Sequence, residues 1–531
     1  MDWFDYIVVG AGTAGCVVAD RLSQHGARRV LLLEAGGSDR RFWIRLPIGY
    51  GRTFTDPRVN WMYVGEPDPA LGGRRAYVPR GKVLGGSGSI NAMVYVRGLP
   101  QDFDDWRDLG NPGWGFDDVR AHFERAEQRI HLTDVTRDAH RLTGAWLESC
   151  ERLGFRRTAD LNAAPSEGVG IYRFTTRSGV RESTATRYLH PALVRSNLAL
   201  RLRAQVVRIL FEQRRAVGVQ YRQGGRSVEV RAREAVILSA GAINTPQLLQ
   251  LSGIGPAELL ALHGIPVLAA QPAVGRHLQD HLAVSYFYRS TVPTLNDELH
   301  PWRGKIRAVA RYLRSRRGPL AMSVNQGGGF VRSDPAQPRP NLQLYFNPMT
   351  FTTSPGPHRR LLRPDPFPGF LLSFNACRPT SRGQVEIRSA NPFDPPTIRP
   401  NGLSTEHDLA EVAAGTRLLR EIAATQPLSG FVAAELRPGI ATQSDAQRLA
   451  DFRARAGSVF HPVGTCRMGP DASDAVVDAR LRVHGFEALR IIDSSVFPTV
   501  SSGNTNAPCI MVAEKGAAMI IEEHGPGVKL P

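Results

Sequence analysis

Asp5-Tyr6-Ile7-Val8-Val9-Gly10-Ala11-Gly12-Thr13-Ala14-Gly15 is the stretch that decides the fold. A continuous apolar run bounded by glycine fits a parallel strand buried on both faces. The turn Gly10-x-Gly12-x-x-Gly15 follows at once, a helical stretch continues through Leu22, and Val30-Leu31-Leu32-Leu33-Glu34 reads as a second apolar strand. Strand, glycine turn, helix and strand over this length make a dinucleotide-binding unit. A Cβ at Gly10 or Gly12 would obstruct the tight turn and the approach of a pyrophosphate to the helix N-terminus, and Gly15 lets helix and strand pack closely. Glu34 ends the second strand nineteen residues after Gly15, where an acidic side chain accepts hydrogen bonds from a ribose diol.

Outward from this unit the chain changes style twice. From Leu198 to Ser239, short alternating runs (Leu200 to Phe211, Ala216 to Tyr221, Val228 to Arg233) read as an antiparallel meander. It ends in the apolar strand Ala235-Val236-Ile237-Leu238, and a second glycine turn follows at Gly241. About Leu282 to Arg455, strands such as Leu342 to Phe346 and Phe370 to Phe374 mix with Pro-rich loops and a long helix around Glu406 to Ala424. The last part returns to the first style, with Leu489-Arg490-Ile491-Ile492-Asp493 as a strand and Pro508 to Glu522 as a helix. The expected fold is therefore mixed α/β (α+β). A Rossmann-like dinucleotide domain with a discontinuous path takes residues 1–155, 193–285 and 460–531. A substrate-side domain, residues 156–192 and 286–459, carries an antiparallel sheet with flanking helices.

The chain of 531 residues has room for about three domain-sized units or two large ones. With 42% hydrophobic and 22% charged residues it is an ordinary globular protein, neither disordered nor fibrous. No window approaches the roughly 18 consecutive apolar residues of a membrane-spanning helix, so no integral membrane segment is expected. Met1-Asp2-Trp3-Phe4-Asp5-Tyr6 lacks the basic and apolar regions of a secretory signal, and the expected location is the cytoplasm. The formal net charge of +17 invites a nucleic-acid reading. The cations are scattered through every segment, however, and only four of the 66 are lysines, so no nucleic-acid partner is expected. The densest basic stretch, Arg303 to Arg317, reads as an amphipathic surface helix, with an anionic partner or membrane surface as the alternative. Cys16, Cys150, Cys377, Cys466 and Cys509 are odd in number and widely spaced, which supports neither a disulfide framework nor a metal site.

Four further stretches carry a resemblance. They are Gly81-Lys82-Val83-Leu84-Gly85-Gly86-Ser87-Gly88-Ser89-Ile90-Asn91, Gly241-Ala242-Ile243-Asn244-Thr245-Pro246-Gln247-Leu248-Leu249-Gln250-Leu251-Ser252-Gly253-Ile254-Gly255, His461-Pro462-Val463-Gly464-Thr465-Cys466-Arg467-Met468-Gly469 and Gly503-Asn504-Thr505-Asn506-Ala507-Pro508. In order and spacing they span nearly the whole chain, and the sequence resembles the glucose-methanol-choline (GMC) flavoprotein oxidoreductases.

The resemblance implies an enzyme that binds FAD and oxidises a small-molecule alcohol by passing a hydride to flavin N5. Its electrons would go on to O₂ or to a quinone or other redox carrier. Hydride loss from a carbinol is easy only if the hydroxyl proton leaves too, so the site needs a base with a pKa near neutrality, most often histidine. His461 matches the family's catalytic histidine, and Asn504, in the N-x-N-x-P spacing, matches the partner that hydrogen-bonds the substrate oxygen. The implied FAD contacts are Gly10, Gly12, Thr13, Ala14 and Gly15, then Glu34 and Ala35, then Gly86, Asn91, Met93 and Val94. They continue with Val206 at the adenine, Ala240 and Gly241, Asp493 on the ribityl side with Ser494, and Asn506 and Pro508. Asn91 and Met93 resemble the residues beneath the isoalloxazine. Reduced flavin carries negative charge near N1 and O2 that needs donors or a dipole. Asn506-Ala507-Pro508 reads as a cap followed by Pro in the first turn of the C-terminal helix, whose positive end would face the flavin.

Two departures from the family pattern are informative. Relatives with covalently attached flavin carry histidine just before the asparagine of the first signature, and Ile90 stands there, so FAD is expected to be non-covalent. Gly88, where many relatives have Ser or Thr, is expected to loosen its loop slightly. Gln279-Asp280-His281 also resembles a family stretch, with His281 expected in a structural hydrogen bond, and the aromatic Phe460 suits oxidases and dehydrogenases alike. The substrate pocket is expected to include Ser323-Val324-Asn325-Gln326 and Tyr345-Phe346-Asn347. No acidic residue there is assignable to a quaternary ammonium, which disfavours choline but leaves it open. A primary or aromatic alcohol is the expected substrate. The alternative is a family member without net oxidation, a hydroxynitrile lyase or a light-driven fatty-acid decarboxylase. Cys377, in Asn375-Ala376-Cys377-Arg378-Pro379, keeps the decarboxylase open beside the reading of a buried free thiol. The sequence carries no sign of oligomeric state.

Overall fold

The strand Trp3–Val9 is buried along all but its first residue, as an apolar run without alternation requires. In the computed structural model, which describes residues 3–24, 26–163, 165–352 and 363–524, it lies inside a seven-stranded sheet. Val30–Glu34 is parallel to it on one side with Leu198–Leu202 beyond, and Arg226–Leu238 is parallel on the other. The first half of Arg226–Leu238 closes an antiparallel meander with Arg215–Gln223 and Gln205–Glu212, and its last residues pair in parallel with Leu489–Ile491. The meander thus begins at Gln205, a correction to the expected start near Leu200. Leu198–Leu202 is the parallel edge of the sheet, buried at Leu198 and half-exposed from Ala199 to Leu202.

Helix Thr13–Ser23 packs against the C-terminal helix Asn506–His524. Their starts are joined, with Thr13 Oγ donating to Asn506 Oδ1 at 3.0 Å. Asn506 is therefore the first residue of its helix, not the expected cap before it, and its amide oxygen is taken by Thr13 across the interface.

A second, antiparallel sheet orders Val432–Arg437, Leu282–Ser290, Gly369–Ala376, Leu342–Asn347, Gly327–Val331 and Gly168–Ile171, with Gly457–Ser458 beside Leu282–Ser290. Val284, Tyr286, Leu344, Phe346, Leu372 and Phe374 point to one face and form a core with helices Arg141–Arg152 and Glu406–Ala424. Ala283, Ser285, Phe287, Tyr345, Asn347, Leu371 and Ser373 alternate with them and line a cavity on the other face. Helix Arg141–Arg152 was assigned by sequence to the first domain, yet Leu142, Trp146 and Cys150 recur at helical spacing and all enter this second core. Trp146 stacks on Phe346 with ring centroids 5.7 Å apart. The strand Leu282–Ser290 also runs across the expected boundary at 285 and lies wholly in the second sheet.

Among the described residues, no helix is long and apolar enough to cross a membrane, no group of three or more His, Cys, Asp or Glu is placed to hold a metal ion, and all five cysteines are buried and unpaired.

Candidate active site

A cavity of about 960 Å³ is lined jointly by the ends of the parallel strands and the open face of the antiparallel sheet. The carboxyl ends of parallel strands are where such sheets take ligands. Every residue expected at the cofactor except Gly15 and Pro508 lines this one cavity, as do His461 and Asn504. Gly15 is a packing position, because a Cβ there would lie 1.8 Å from the Gly10 carbonyl oxygen. Pro508 lies in the first turn of Asn506–His524, off the cavity wall.

The glycine-motif end fits a dinucleotide. No side chain caps helix Thr13–Ser23 at Gly12, so its first N–H groups are free for an anion such as a pyrophosphate. Gly86, at φ +53°, is pressed so close that a Cβ would come 2.7 Å from Gly12 Cα. Glu34 accepts from Ala11 N–H at 3.0 Å and Gly36 N–H at 2.7 Å, and burial holds its carboxyl up at about 7. Asp493 accepts from Gly241 N–H at 2.8 Å, Thr245 Oγ at 2.7 Å and Ser495 N–H at 2.8 Å, and burial raises it also. Both acids line the cavity while anchoring the turns around it.

Met93 has the left-handed φ of +63°, and its N–H donates to Asn91 Oδ1 at 3.0 Å. Buried Arg181 clamps this bend, with Nη1 on Asn91 Oδ1 at 2.8 Å and Nη2 on the Asn91 carbonyl at 2.7 Å. Burial brings that guanidinium down to about 9. Gly88 stands at a close approach. A Cβ there would meet Thr13 Oγ at 2.9 Å, so Gly88 lets its turn close onto the Thr13–Asn506 hydrogen bond.

At the other end, His461 follows Phe460, whose φ of +71° is costly for a bulky residue, about 1–3 kcal/mol. Three contacts hold the bend. Phe460 N–H donates to Ser458 Oγ at 2.8 Å, Arg80 Nη1 donates to the Phe460 carbonyl at 3.0 Å, and His461 N–H donates to Asp280 Oδ1 at 2.8 Å. Asp280 Oδ1 also accepts from His281 N–H at 2.9 Å, so one buried carboxylate, raised to about 6 by burial, fixes the backbone of both histidines.

The hydrogen-bond roles then assign the proton on each ring. His281 Nε2 lies 3.0 Å from the Cys377 carbonyl, which only accepts, so Nε2 carries the hydrogen. Nδ1 of that neutral ring is an acceptor and faces His461 Nδ1 at 3.0 Å. His461 therefore donates from Nδ1 and presents a lone pair at Nε2. Asn504 Nδ2 donates to that Nε2 at 3.0 Å, and Asn504 Oδ1 accepts from Gln343 Nε2 at 3.4 Å. Gln343 Oε1 accepts in turn from the Tyr345 hydroxyl at 2.7 Å. Donor and acceptor agree at every step from Cys377 to Tyr345. Burial, reinforced by His281 and Arg80, pushes His461 well below the ordinary imidazole range, and burial brings His281 to about 4. Both rings are neutral at pH 7, and His461 Nε2 is a base facing the cavity.

The structural hydrogen bond expected of His281 is present, and its partner is the His461 ring, 180 residues away. Gln343 and Arg80 belong to no motif, and only the fold brings them to the base. Of the expected substrate stretches, Val324, Asn325, Tyr345 and Asn347 line the cavity, while Ser323, Gln326 and Phe346 turn away. Cys377 is fully buried and off the cavity wall, its thiol pushed up to about 12 by burial. What it gives the site is its carbonyl.

An uncapped glycine-motif helix and a neutral histidine–asparagine pair at one cavity define a flavin-dependent oxidoreductase. Family models described as GMC oxidoreductase match residues 4–283 and 379–513. The mitochondrial choline dehydrogenase of Homo sapiens is 43% identical over 98% of this chain and 90% of its own. The alcohol dehydrogenase [acceptor] of Pseudomonas putida is 39% identical over 98% of this chain and 96% of its own. Among solved structures, pyridoxine 4-oxidase from Mesorbium loti superposes with a TM-score of 0.87 at 28% identity, covering 98% of this chain and all of that one. The chain belongs to the GMC oxidoreductase family: it is an FAD-dependent enzyme acting on CH–OH donors.

Proposed function

We propose that the enzyme oxidises a primary or aromatic alcohol to the aldehyde, with His461 as general base and Asn504 as donor to the substrate oxygen. The observation that carries this reading is the 3.0 Å contact of His461 Nε2 with Asn504 Nδ2 at the cavity wall, in the tautomer that leaves Nε2 unprotonated. A carbinol oxygen bound between these two atoms gives its proton to His461 Nε2 and accepts from Asn504 Nδ2. The negative charge that grows on oxygen thus meets a donor already in place. FAD, when bound, supplies the two-electron acceptor that takes the hydride from the carbinol carbon at N5. Phe54, Val324 and Tyr345, which also line the cavity, keep water from the base while the proton moves.

The cofactor contacts are those named from the sequence, with Gly15 and Pro508 acting through packing. Ile90 lines the cavity and offers no atom for a covalent link, which supports non-covalent FAD. The cavity's carboxylates are Glu34 and Asp493, both committed to the glycine-motif sheet, while Arg437 stands on the substrate side beside Arg455, which is paired with Asp451. That balance favours an uncharged alcohol over a cationic one such as choline. Electrons pass to O₂ or to a quinone or other carrier. A cytoplasmic location belongs to the same reading. So does the two-domain division, with Arg141–Arg152 and Leu282–Ser290 counted on the substrate side.

Mixing the holoenzyme anaerobically, in the dark, with aliphatic, aromatic, polyol and quaternary-ammonium alcohols tests the proposal. Loss of oxidised-flavin absorbance with an uncharged primary or aromatic alcohol is expected. No loss with any of them would overturn it. Admitting air then assigns the acceptor, since fast recolouring marks O₂ and slow recolouring marks a carrier.

A further inference from the structure

A surface helix of a globular protein buries its large apolar residues and shows its polar ones. Helix Trp302–Ser315 shows four of its large apolar residues as well as its cations. Its buried face is Gly304, Ala308 and Tyr312, and Gly304 seats on the short helix Leu295–Leu299, where a Cβ would lie 2.4 Å from the Glu298 carbonyl oxygen. Its large apolar residues point outward, with Trp302 67%, Ile306 58%, Val309 46% and Leu313 67% exposed. At 100° per residue these four fall on one stripe, about 16 Å long from Trp302 to Leu313.

Cations border the stripe. Arg303, Arg307 and Arg314 lie on one flank and Lys305 on the other, and no Asp or Glu occurs from Trp302 through Arg317. Arg311 and Arg317 are paired with Asp138 at 2.9 and 2.8 Å. The four flanking cations have no ion-pair partner among the described residues. Scattered exposed apolar residues need no explanation, but an aligned stripe rimmed by unpaired cations does.

We propose that this helix docks the enzyme peripherally onto the surface of a bilayer containing anionic lipid, lying in the interface plane with Trp302, Ile306, Val309 and Leu313 inserted among the acyl chains. Three observations select this occupant. The stripe is straight and convex, as an interfacial helix requires, and not a groove for a partner's side chains. Its rim is wholly basic, which complements anionic headgroups. At its N-terminal end the buried side is closed by Gly304, so turning a large residue inward there would clash with the Glu298 carbonyl. From Ser315 the chain runs through the turn Pro319–Ala321 to Val324 and Asn325, which line the cavity, and a docked enzyme would meet the apolar alcohols and quinones that concentrate in a bilayer. That last consequence rests on the proposed alcohol oxidation, whereas the docking does not.

Flotation of the FAD-loaded enzyme with phosphatidylcholine vesicles, with and without phosphatidylglycerol, tests the proposal. Flotation with the anionic vesicles that weakens as salt rises is expected. Trp302→Ser with Leu313→Ser, and separately Arg303→Gln with Arg307→Gln, should each lower vesicle affinity about tenfold or more. Retained flavin absorbance shows that these exposed changes leave the fold intact. Three results would overturn the proposal. One is wild-type enzyme that stays unbound, or that binds neutral and anionic vesicles equally. Another is a variant that floats as the wild type does. The third is a concentration-dependent dimer in sedimentation velocity that Leu313→Ser abolishes, which would give the stripe to a second copy.

Discussion

His281 Nδ1 and His461 Nδ1 meet at 3.0 Å with their ring planes 88° apart. Because the far nitrogen of His281 donates to the Cys377 carbonyl, His281 is a positioning residue that decides which nitrogen of His461 is free.

His281→Ala removes the acceptor and lets His461 protonate at either nitrogen. The expected cost is about 10²–10⁴-fold in kcat, the range of a mis-set general base. His281→Gln should recover much of it, because a glutamine amide can donate to the Cys377 carbonyl and accept from His461 Nδ1. Steady-state kinetics of the two variants check this. Equal losses would reduce His281 to a packing residue.

The base is active when neutral, so activity is lost as pH falls through the folded-state pKa of His461. Burial sets that value well below 6.5. On acidification kcat/KM should stay flat past pH 6.5 and drop only below it. An acid limb centred at or above 6.5 in the pH profile would contradict the buried, neutral pair.

Gly86→Ala combines a left-handed φ of +53° with a Cβ 2.7 Å from Gly12 Cα. Strain and overpacking should cost about 2–4 kcal/mol and open the glycine-motif end. Purified protein should show a lower ratio of flavin to protein absorbance and a lower Tm.

With Ile90 in the first signature, all flavin should leave the protein on acid precipitation. Flavin absorbance in the supernatant, with none in the washed pellet, is the expected outcome.

Local signals in the sequence carry far in this chain. The apolar run Tyr6–Val9, the glycine turn and Glu34 make one contiguous unit, and the structure forms it as read. Leu198–Leu202 was read into the meander because nothing in Leu-Ala-Leu-Arg-Leu separates an edge parallel strand from an antiparallel one. Leu142, Trp146 and Cys150 mark a helix face without saying which sheet it meets. At the site, His461 and Asn504 sit in motifs, but the tautomer depends on His281, Cys377 and Gln343, from separate segments that only the tertiary fold brings together. The basic helix at 302–315 was legible as amphipathic. Which face lies inward was not, because Gly304, Ala308 and Tyr312, not the tryptophan and leucine, make its buried contact.

The central claim is that His461 Nε2 takes the substrate proton. Anaerobic stopped-flow reduction of FAD-loaded wild type and His461→Gln by one saturating primary or aromatic alcohol tests it most directly. The account predicts that the variant keeps its oxidised flavin spectrum before mixing and is reduced at least about 10²-fold more slowly. Reduction of both enzymes at the same rate would contradict it.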